Sequence, residues 1–234
     1  MTFNDLTLVL SALVSAGLVV MTFRLDRDRL YSVIVIFLIL NVLIGSKTAI
    51  LFGHMGNIGS VIYAAVFLAT YFIIERNGHI QAIRSVVTGI FAIIFFGVLL
   101  QLAVLLQGTP GTESLNTALS TAFQPASRGT FALLLAYLFS QTFNLILYFE
   151  LRRRFEHRHL WLRANIANAC AQAIAGFVFF TVAFWNTPLP AHLLEIMLTG
   201  YVIKVVFMML AAPLLYLNRV EEDYDKSYAT LVLR

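Results

Sequence analysis

The sequence predicts an all-α membrane protein, a polytopic bundle of seven transmembrane helices. Of its 234 residues, 60% are hydrophobic and only 12% are charged, about half the charged fraction of a typical soluble domain. Apolar stretches near the length of about 20 residues that a bilayer-spanning helix needs recur along the whole chain. Lys and Arg concentrate in alternate connections between these stretches. Residues 1–234 are therefore predicted to form a single integral membrane domain.

The limits of the predicted spans follow from the polar and charged residues between them. The spans are residues 5–23, 30–52, 58–75, 86–107, 128–151, 163–185 and 191–217. The second is the least regular, because Gly45, Ser46 and Lys47 interrupt it. A short turn at 53–57 and a longer loop at 108–127 precede the third and fifth spans.

The first span is predicted to be an added N-terminal helix. It is not a cleaved signal peptide, because Asp5 precedes its apolar run and no Lys or Arg does, the reverse of a basic n-region. A six-helix transporter-like core is predicted at 30–217, and residues 218–234 are predicted to be a cytoplasmic tail.

The orientation follows from the basic residues. The first, third and fifth connections and the tail contain 13 of the 16 Lys and Arg residues, and the opposite side has only Lys47 and Arg128. Because positive residues stay on the cytoplasmic side, the N-terminus is predicted outside and the C-terminus inside a cell (inner) membrane. The net charge of +4 then indicates membrane lipid rather than nucleic acid as a partner.

Lys204 lies in the middle of the last span. An ionisable side chain at bilayer depth costs roughly 2.5–3.5 kcal/mol on insertion scales, and it usually faces a wet cavity or another helix. Glu195 is nine residues away, so the two side chains do not share one helix face. We expect Lys204 to mark a transport site, and the alternative is a tether to a neighbouring carboxylate or carbonyl.

Amide side chains follow one face of two consecutive spans. Polar residues recur at helical spacing in the fifth and sixth spans, as Tyr137, Gln141, Asn144 and Tyr148, and as Asn165, Asn168, Gln172 and Gly176. Amides both donate and accept hydrogen bonds, so they can grip a planar polar ligand. The alternative is contact between helices, which is worth about 0.6 kcal/mol on average.

Two further polar residues complete the predicted substrate site. Asn41 interrupts the second span, and Tyr71 could stack on a ligand ring or anchor the third span at the interface. The predicted substrate-binding residues are Asn41, Tyr71, Gln141, Asn144, Asn168, Gln172 and Lys204.

The sequence gives little support for an enzyme. The single Cys170 cannot form an internal disulfide, and the pair His157 and His159 supplies too few ligands for a metal site. No phosphate-binding loop, nucleophile elbow or zinc-protease helix is present in the sequence. No catalytic residue, metal or cofactor is predicted.

With these residues in view, the chain resembles the queuosine precursor transporter family, also known as vitamin uptake transporters. The resemblance extends from about Asn41 to Leu217. It rests on segments similar to those of the family: Phe67–Tyr71 with Glu75 and Gly78, Pro125 and Arg128, Ala136–Asn144, Phe179–Trp185, and Glu195–Lys204 with Pro213. It implies uptake of a small planar heterocycle, such as the cyano- and aminomethyl-substituted deazaguanine precursors of queuosine.

The chain departs from the family where the family usually has aspartates. Tyr71, Asn144, Ala175 and Gly200 stand at those positions. A buried cation requires a carboxylate partner, so we expect a neutral ligand, or an anionic one facing Lys204, to be preferred over a cationic one.

Two other functions remain open. The family core is related by resemblance to the substrate-capture subunits of energy-coupling-factor transporters, which would imply a separate energising module or a homo-oligomer as partner. Alternatively, a lysine in the last of seven helices is the outline of a retinal-binding photoreceptor. The central spans, however, offer no carboxylate placed as a counter-ion, and both tryptophans lie at span ends.

Overall fold

The computed structural model describes residues 2–25, 27–45, 47–106, 109, 111–123, 126–155, 158–186 and 192–217. The helices are α1 Phe3–Leu25, α2 Arg27–Ile44, α3 Gly59–Leu105, α4 Glu113–Phe123, α5 Ala126–Arg154, α6 Leu160–Ala183 and α7 Leu193–Ala211, with a 3-10 helix at Ala212–Leu217. One antiparallel hairpin joins β1 Thr48–Leu51 to β2 His54–Asn57. The predicted tail at 218–234 lies outside the described residues.

Five helical stretches of the described chain are long and apolar enough to cross a membrane. They are α1, α3, the stretch that contains α4 and α5, α6, and α7 with the 3-10 helix that follows it. The apolar part of α2, residues 29–44, is shorter. The predicted bundle of apolar helices is confirmed, and the count of seven transmembrane helices stays a prediction.

Helix α3 reverses its direction at Gly78. The backbone of Gly78 has φ 76° and ψ −174°, a conformation that favours glycine. Asn41, near the end of α2, donates a hydrogen bond to the Gly59 carbonyl at 2.9 Å. Tyr31, near the start of α2, donates to the Gln81 carbonyl at 3.0 Å. The first half of α3 therefore begins beside the C-terminal end of α2, and the second half begins beside the N-terminal end of α2.

Further contacts of α3 show the same reversal. Before Gly78, Arg76 donates to the carbonyl of Phe23 at the end of α1, close to where α2 begins. After Gly78, a Cβ built on Gly89 would meet Leu38, which is further along α2. The first half of α3 thus runs antiparallel to α2, and the second half runs parallel to it. These halves correspond to the predicted spans 58–75 and 86–107.

The spans 58–75 and 86–107 are joined without a loop. Residues 75–84 are helical except at Gly78. Charged residues in this stretch suggest a loop, but one glycine in the left-handed region is sufficient to turn the chain.

The predicted second span, 30–52, is wrong at its C-terminal end. Helix α2 ends at Ile44, and Thr48–Leu51 is a strand. The hairpin turn is made by Phe52 at φ 51° and Gly53 at φ 85°, as a two-residue turn with positive φ at both positions requires. A short apolar run is compatible with either a strand or a helix, so composition alone could not separate them.

The starts of two distant helices tie the hairpin in place. The backbone N–H of Phe52 donates to Asp5 Oδ1 of α1 at 2.6 Å. The N–H of Met55 donates to Glu195 Oε1 of α7 at 3.0 Å. These two carboxylates satisfy backbone groups that an isolated two-stranded ribbon leaves open.

The predicted loop at 108–127 contains the helix α4. All but three of its side chains are exposed, and none is buried. Gln101 of α3 donates to the Phe123 carbonyl at 3.1 Å and so fixes the end of α4. No face of α4 packs in the core. Its sequence therefore has only a weak form of the periodic apolar pattern that predicts a buried helix.

Candidate functional site

A cavity of about 560 Å³ lies between α2, α3, α5, α6 and α7. This volume is within the range of roughly 300–1,000 Å³ typical of small-molecule sites. Much of its wall is apolar, with aromatic side chains from Tyr63, Phe177, Phe179, Phe180 and Tyr201. Its polar side chains are Asn41, Asn57, Ser60, Thr130, Gln172 and Lys204.

Lys204 of α7 lines this cavity and is half-buried. Its Nζ lies 5.5 Å from the centroid of the Tyr63 ring, within the distance of about 6 Å for a cation–π contact. Tyr63 is in turn fixed by a 3.0 Å hydrogen bond between its hydroxyl and Ser140 Oγ. In the described part of the chain, Lys204 forms no ion pair with a carboxylate. Its N–H donors therefore remain available to a ligand.

Two predicted amides also line the cavity. Gln172 of α6 donates from Nε2 to Asn168 Oδ1 at 3.3 Å, whereas its Oε1 is buried and has no hydrogen-bond partner among the described residues. Asn41 uses its Nδ2 on the Gly59 carbonyl. Because an unpaired buried acceptor costs about 1–3 kcal/mol, Gln172 Oε1 is suited to an N–H donor of a ligand.

The other four predicted site residues do not line this cavity. Tyr71, Gln141, Asn144 and Asn168 are fully buried. The Tyr71 hydroxyl donates to Asn144 Oδ1 at 2.5 Å, and Asn144 Nδ2 donates to Gln141 Oε1 at 3.4 Å. The first contact joins α3 to α5, and the second lies within α5. Their role in substrate binding stays a prediction.

A buried ion-pair cluster, made by Glu75, Tyr148 and Arg163, lies next to these residues. Arg163 Nη2 donates to Glu75 Oε2 at 2.8 Å, and Tyr148 donates to Glu75 Oε1 at 2.6 Å. Arg163 Nε donates to the Tyr148 hydroxyl at 3.1 Å. The Arg163 side chain is only 2% exposed. The cluster connects α3, α5 and α6 and borders Tyr71, whose ring centroid is 5.0 Å from that of Tyr148.

The sequence did not predict this cluster. Arg163 fits the pattern of topology-determining charges, and Glu75 is the last residue of the third predicted span. One available signal was the phase of Tyr148, which continues the stripe of Gln141 and Asn144. Its partners, however, are 73 and 15 residues distant in sequence, and helical spacing cannot identify partners on other helices.

The positions of the family's usual aspartates fall into two groups. Ala175 and Gly200 line the cavity, while Tyr71 and Asn144 bond to each other outside it. A Cβ added at Gly200 would lie 2.9 Å from Ser60 Oγ, so glycine allows α7 to approach α3 closely. Among the described residues, no carboxylate lines the cavity, and Lys204 is its only charged side chain.

A family of known proteins matches most of this chain. The family described as "Putative vitamin uptake transporter" matches residues 57–218, which is more than half of the chain. The chain belongs to this family. The predicted family membership is therefore confirmed. The matched segment contains α3 to α7 and every cavity residue except those of α2, such as Asn41.

A curated relative agrees with the family match. The "Probable queuosine precursor transporter" of Bacillus subtilis (strain 168) is 34% identical over 177 residues, covering 73% of this chain and 74% of the relative. No solved structure matches the chain. The family and its apolar helices identify this chain as a membrane protein of a transporter family.

Proposed function

We propose that this protein takes up a small planar heterocycle across the cell membrane, and that a queuosine precursor or a related deazapurine or vitamin is the substrate. The observation that carries the proposal is one aromatic-lined cavity that is lined both by the unpaired ammonium of Lys204 and by Gln172, an amide whose buried Oε1 has no partner among the described residues. The name of the Bacillus subtilis relative supports the choice of substrate class.

The chemistry of a deazaguanine base is complementary to these groups. Such a base has a carbonyl oxygen that can accept from the Lys204 ammonium, and N–H groups that can donate to Gln172 Oε1. Its planar faces can pack on the aromatic side chains of Tyr63, Tyr201 and Phe180. Stacking of a base on an aromatic ring is worth about 1–3 kcal/mol.

The orientation belongs to the same proposal. We assign an arrangement of seven spans, with α3 counted as two, in which the N-terminus lies outside and the C-terminus lies in the cytoplasm. Support comes from the charges at the two ends of the bundle. The end with Arg24, Arg76 and Arg163 is rich in basic residues, while the end with the hairpin has Lys47 and Arg128. The cavity, bordered by Asn57 at the end of the hairpin, would then open toward the outside.

Reporter fusions test the orientation. Fusions inserted at 75–84, at 152–158 and after the C-terminus should all report the cytoplasm, because positive residues are retained there. A fusion in the hairpin turn at 52–53 should report the outside. A C-terminal reporter that is active only outside the cell would contradict the seven-span arrangement.

Binding and uptake of defined compounds test the substrate. Purified protein should be stabilised against heat by deazaguanine bases in a screen that also contains purines, vitamins and retinal, because a ligand that binds only the folded state raises its stability. The same bases should then accumulate in liposomes containing this protein alone. Binding without accumulation would assign the protein as a capture subunit that needs an energising module. Stabilisation by retinal alone would overturn the proposal.

A further inference from the structure

We infer that the cavity selects a heterocycle bearing an anionic substituent, such as a carboxylate, over its neutral and cationic counterparts. This inference rests on the proposed function and specifies the substrate class of the same site. It starts from the charge of the cavity, which in the described part of the chain comes from Lys204 alone.

The surroundings of Lys204 do not neutralise it. The Tyr63 ring 5.5 Å away supplies a cation–π contact, which stabilises an ammonium without cancelling its charge. A charge removed from water requires an opposite charge or a full set of hydrogen bonds. The described residues provide neither for this ammonium, and the cavity is where a partner can reach it.

The position one helical turn before Lys204 explains why its charge is unpaired. Residues four apart lie on the same face of a helix, where a carboxylate and a lysine attract each other. That position is Gly200, which has no side chain. Ala175, across the cavity wall on α6, also supplies no charge.

The carboxylates of α7, which carries Lys204, and of α3, which carries Tyr63, are occupied elsewhere. Glu195 accepts from the Met55 N–H at 3.0 Å and lies 3.4 Å from the Nδ1 atoms of both His54 and His192. Glu75 accepts from Arg163 and Tyr148 in the buried ion-pair cluster. An anionic ligand would therefore supply the counter-charge that Lys204 lacks, while a cationic one would be repelled.

A matched series of deazaguanine bases tests this preference, with a nitrile, an aminomethyl or a carboxylate as the only difference. We expect wild type to bind the carboxylate about tenfold tighter than the nitrile, the ratio that separates a charge-assisted hydrogen bond from a neutral one. The aminomethyl base should bind most weakly. Lys204→Met should bring the carboxylate and the nitrile within about threefold of each other, and Lys204→Arg should keep the preference for the carboxylate.

A gain-of-charge variant tests the same inference in reverse. Gly200→Asp combined with Ser60→Ala places a carboxylate one turn from Lys204 and removes the hydroxyl that a Cβ at position 200 would meet. In this variant the ratio of carboxylate affinity to nitrile affinity should fall by about tenfold, because Lys204 is then paired with the carboxylate at position 200. Ser60→Ala alone is the control and should keep the wild-type order.

The outcomes separate this inference from the function on which it rests. If none of the three bases binds wild type, the proposed substrate is wrong and the inference falls with it. If they bind equally, or the aminomethyl base binds best, the proposed function stands and the charge selection is overturned. If Lys204→Met does not fold, Lys204→Arg and the Gly200→Asp double variant still decide, since a Gly200→Asp variant with the wild-type order would contradict the inference.

Discussion

Arg163 and Lys204 are both cations in apolar helices, yet their surroundings differ in nearly every respect. Arg163 is 2% exposed and has the Glu75 carboxylate at 2.8 Å and the Tyr148 hydroxyl at 3.1 Å. Lys204 has an aromatic ring and a cavity, and no carboxylate partner among the described residues. The comparison separates two uses of a costly buried charge. One is paired with a carboxylate of the protein and joins helices, while the other is left for a ligand.

The largest expected effect is on the paired cation. Arg163→Met leaves the Glu75 carboxylate buried without its partner, and breaking a buried pair in this way costs about 3–5 kcal/mol. We expect the unfolding temperature of the purified protein to fall strongly. Adding Glu75→Gln to Arg163→Met should recover most of the loss, because no unpaired charge then remains.

Two exposed ion pairs near the end of α5 provide the matched control. Glu150 bonds Arg153 and Arg154, whose side chains are 81% and 72% exposed. Glu150→Gln should change stability by less than about 1 kcal/mol. If Arg163→Met is as mild as Glu150→Gln, the buried ion-pair cluster does not hold the helices together.

The second effect concerns the unpaired cation. Lys204→Met should keep the folded yield and unfolding temperature close to wild type, since no described ion pair is broken. Uptake of the preferred base should fall by about tenfold or more, the size expected for losing a charge-assisted hydrogen bond. A Lys204→Met protein that transports normally, or that unfolds as readily as Arg163→Met, would remove the distinction between the two sites.

The third effect compares two glutamines on neighbouring helices. Gln172→Leu removes a cavity-lining acceptor and should weaken ligand binding by about 1–3 kcal/mol. Gln141→Leu removes a contact between two buried amides of α5 and should cost about 0.5–1.5 kcal/mol of stability. Isothermal titration and thermal unfolding of both variants check this. Equal losses of binding would show that the amides around Asn144 also reach the ligand.

The smallest expected effect concerns Tyr63, whose ring lies next to the Lys204 ammonium. Tyr63→Phe keeps the ring and removes the hydroxyl bonded to Ser140, so it should cost only about 0.5–1.5 kcal/mol of stability and leave binding unchanged. Tyr63→Leu removes the ring as well and should weaken binding of an anionic base, because the ammonium is no longer held in place. Affinities that are the same for Tyr63→Phe and Tyr63→Leu would exclude a positioning role for the ring.

The sequence predicted the apolar helices and the family, because each depends on composition or on a local motif. It also singled out Lys204, whose role in transport stays a prediction. It could not predict which polar residues share one site. Helical spacing places Gln141 and Gln172 on faces of α5 and α6, but only packing decides that Gln172 lines the cavity and Gln141 does not. The bond between Tyr71 and Asn144 spans 73 residues, beyond the reach of any local pattern.

The hairpin and the turn at Gly78 show the same limit in the backbone. The composition of Thr48–Leu51 is compatible with the end of an apolar helix. The strand is instead held by Asp5 and Glu195, which accept hydrogen bonds from the N–H groups of Phe52 and Met55 in the same hairpin. At Gly78, a single residue with positive φ turns the chain. The charged residues around it would suggest a longer connection. Both features depend on contacts between segments distant in sequence.

The close approach of Gly200 to Ser60 has an evolutionary consequence. A side chain at position 200 would press on the Ser60 hydroxyl, 2.9 Å from where its Cβ would stand. An acidic residue acquired there therefore requires either that the Ser60 hydroxyl leave its hydrogen bond to Asn57 Oδ1 or that position 60 become smaller. Packing thus couples position 200 to position 60, so a descendant of this protein that gains a carboxylate at position 200 would change the contacts of position 60 as well.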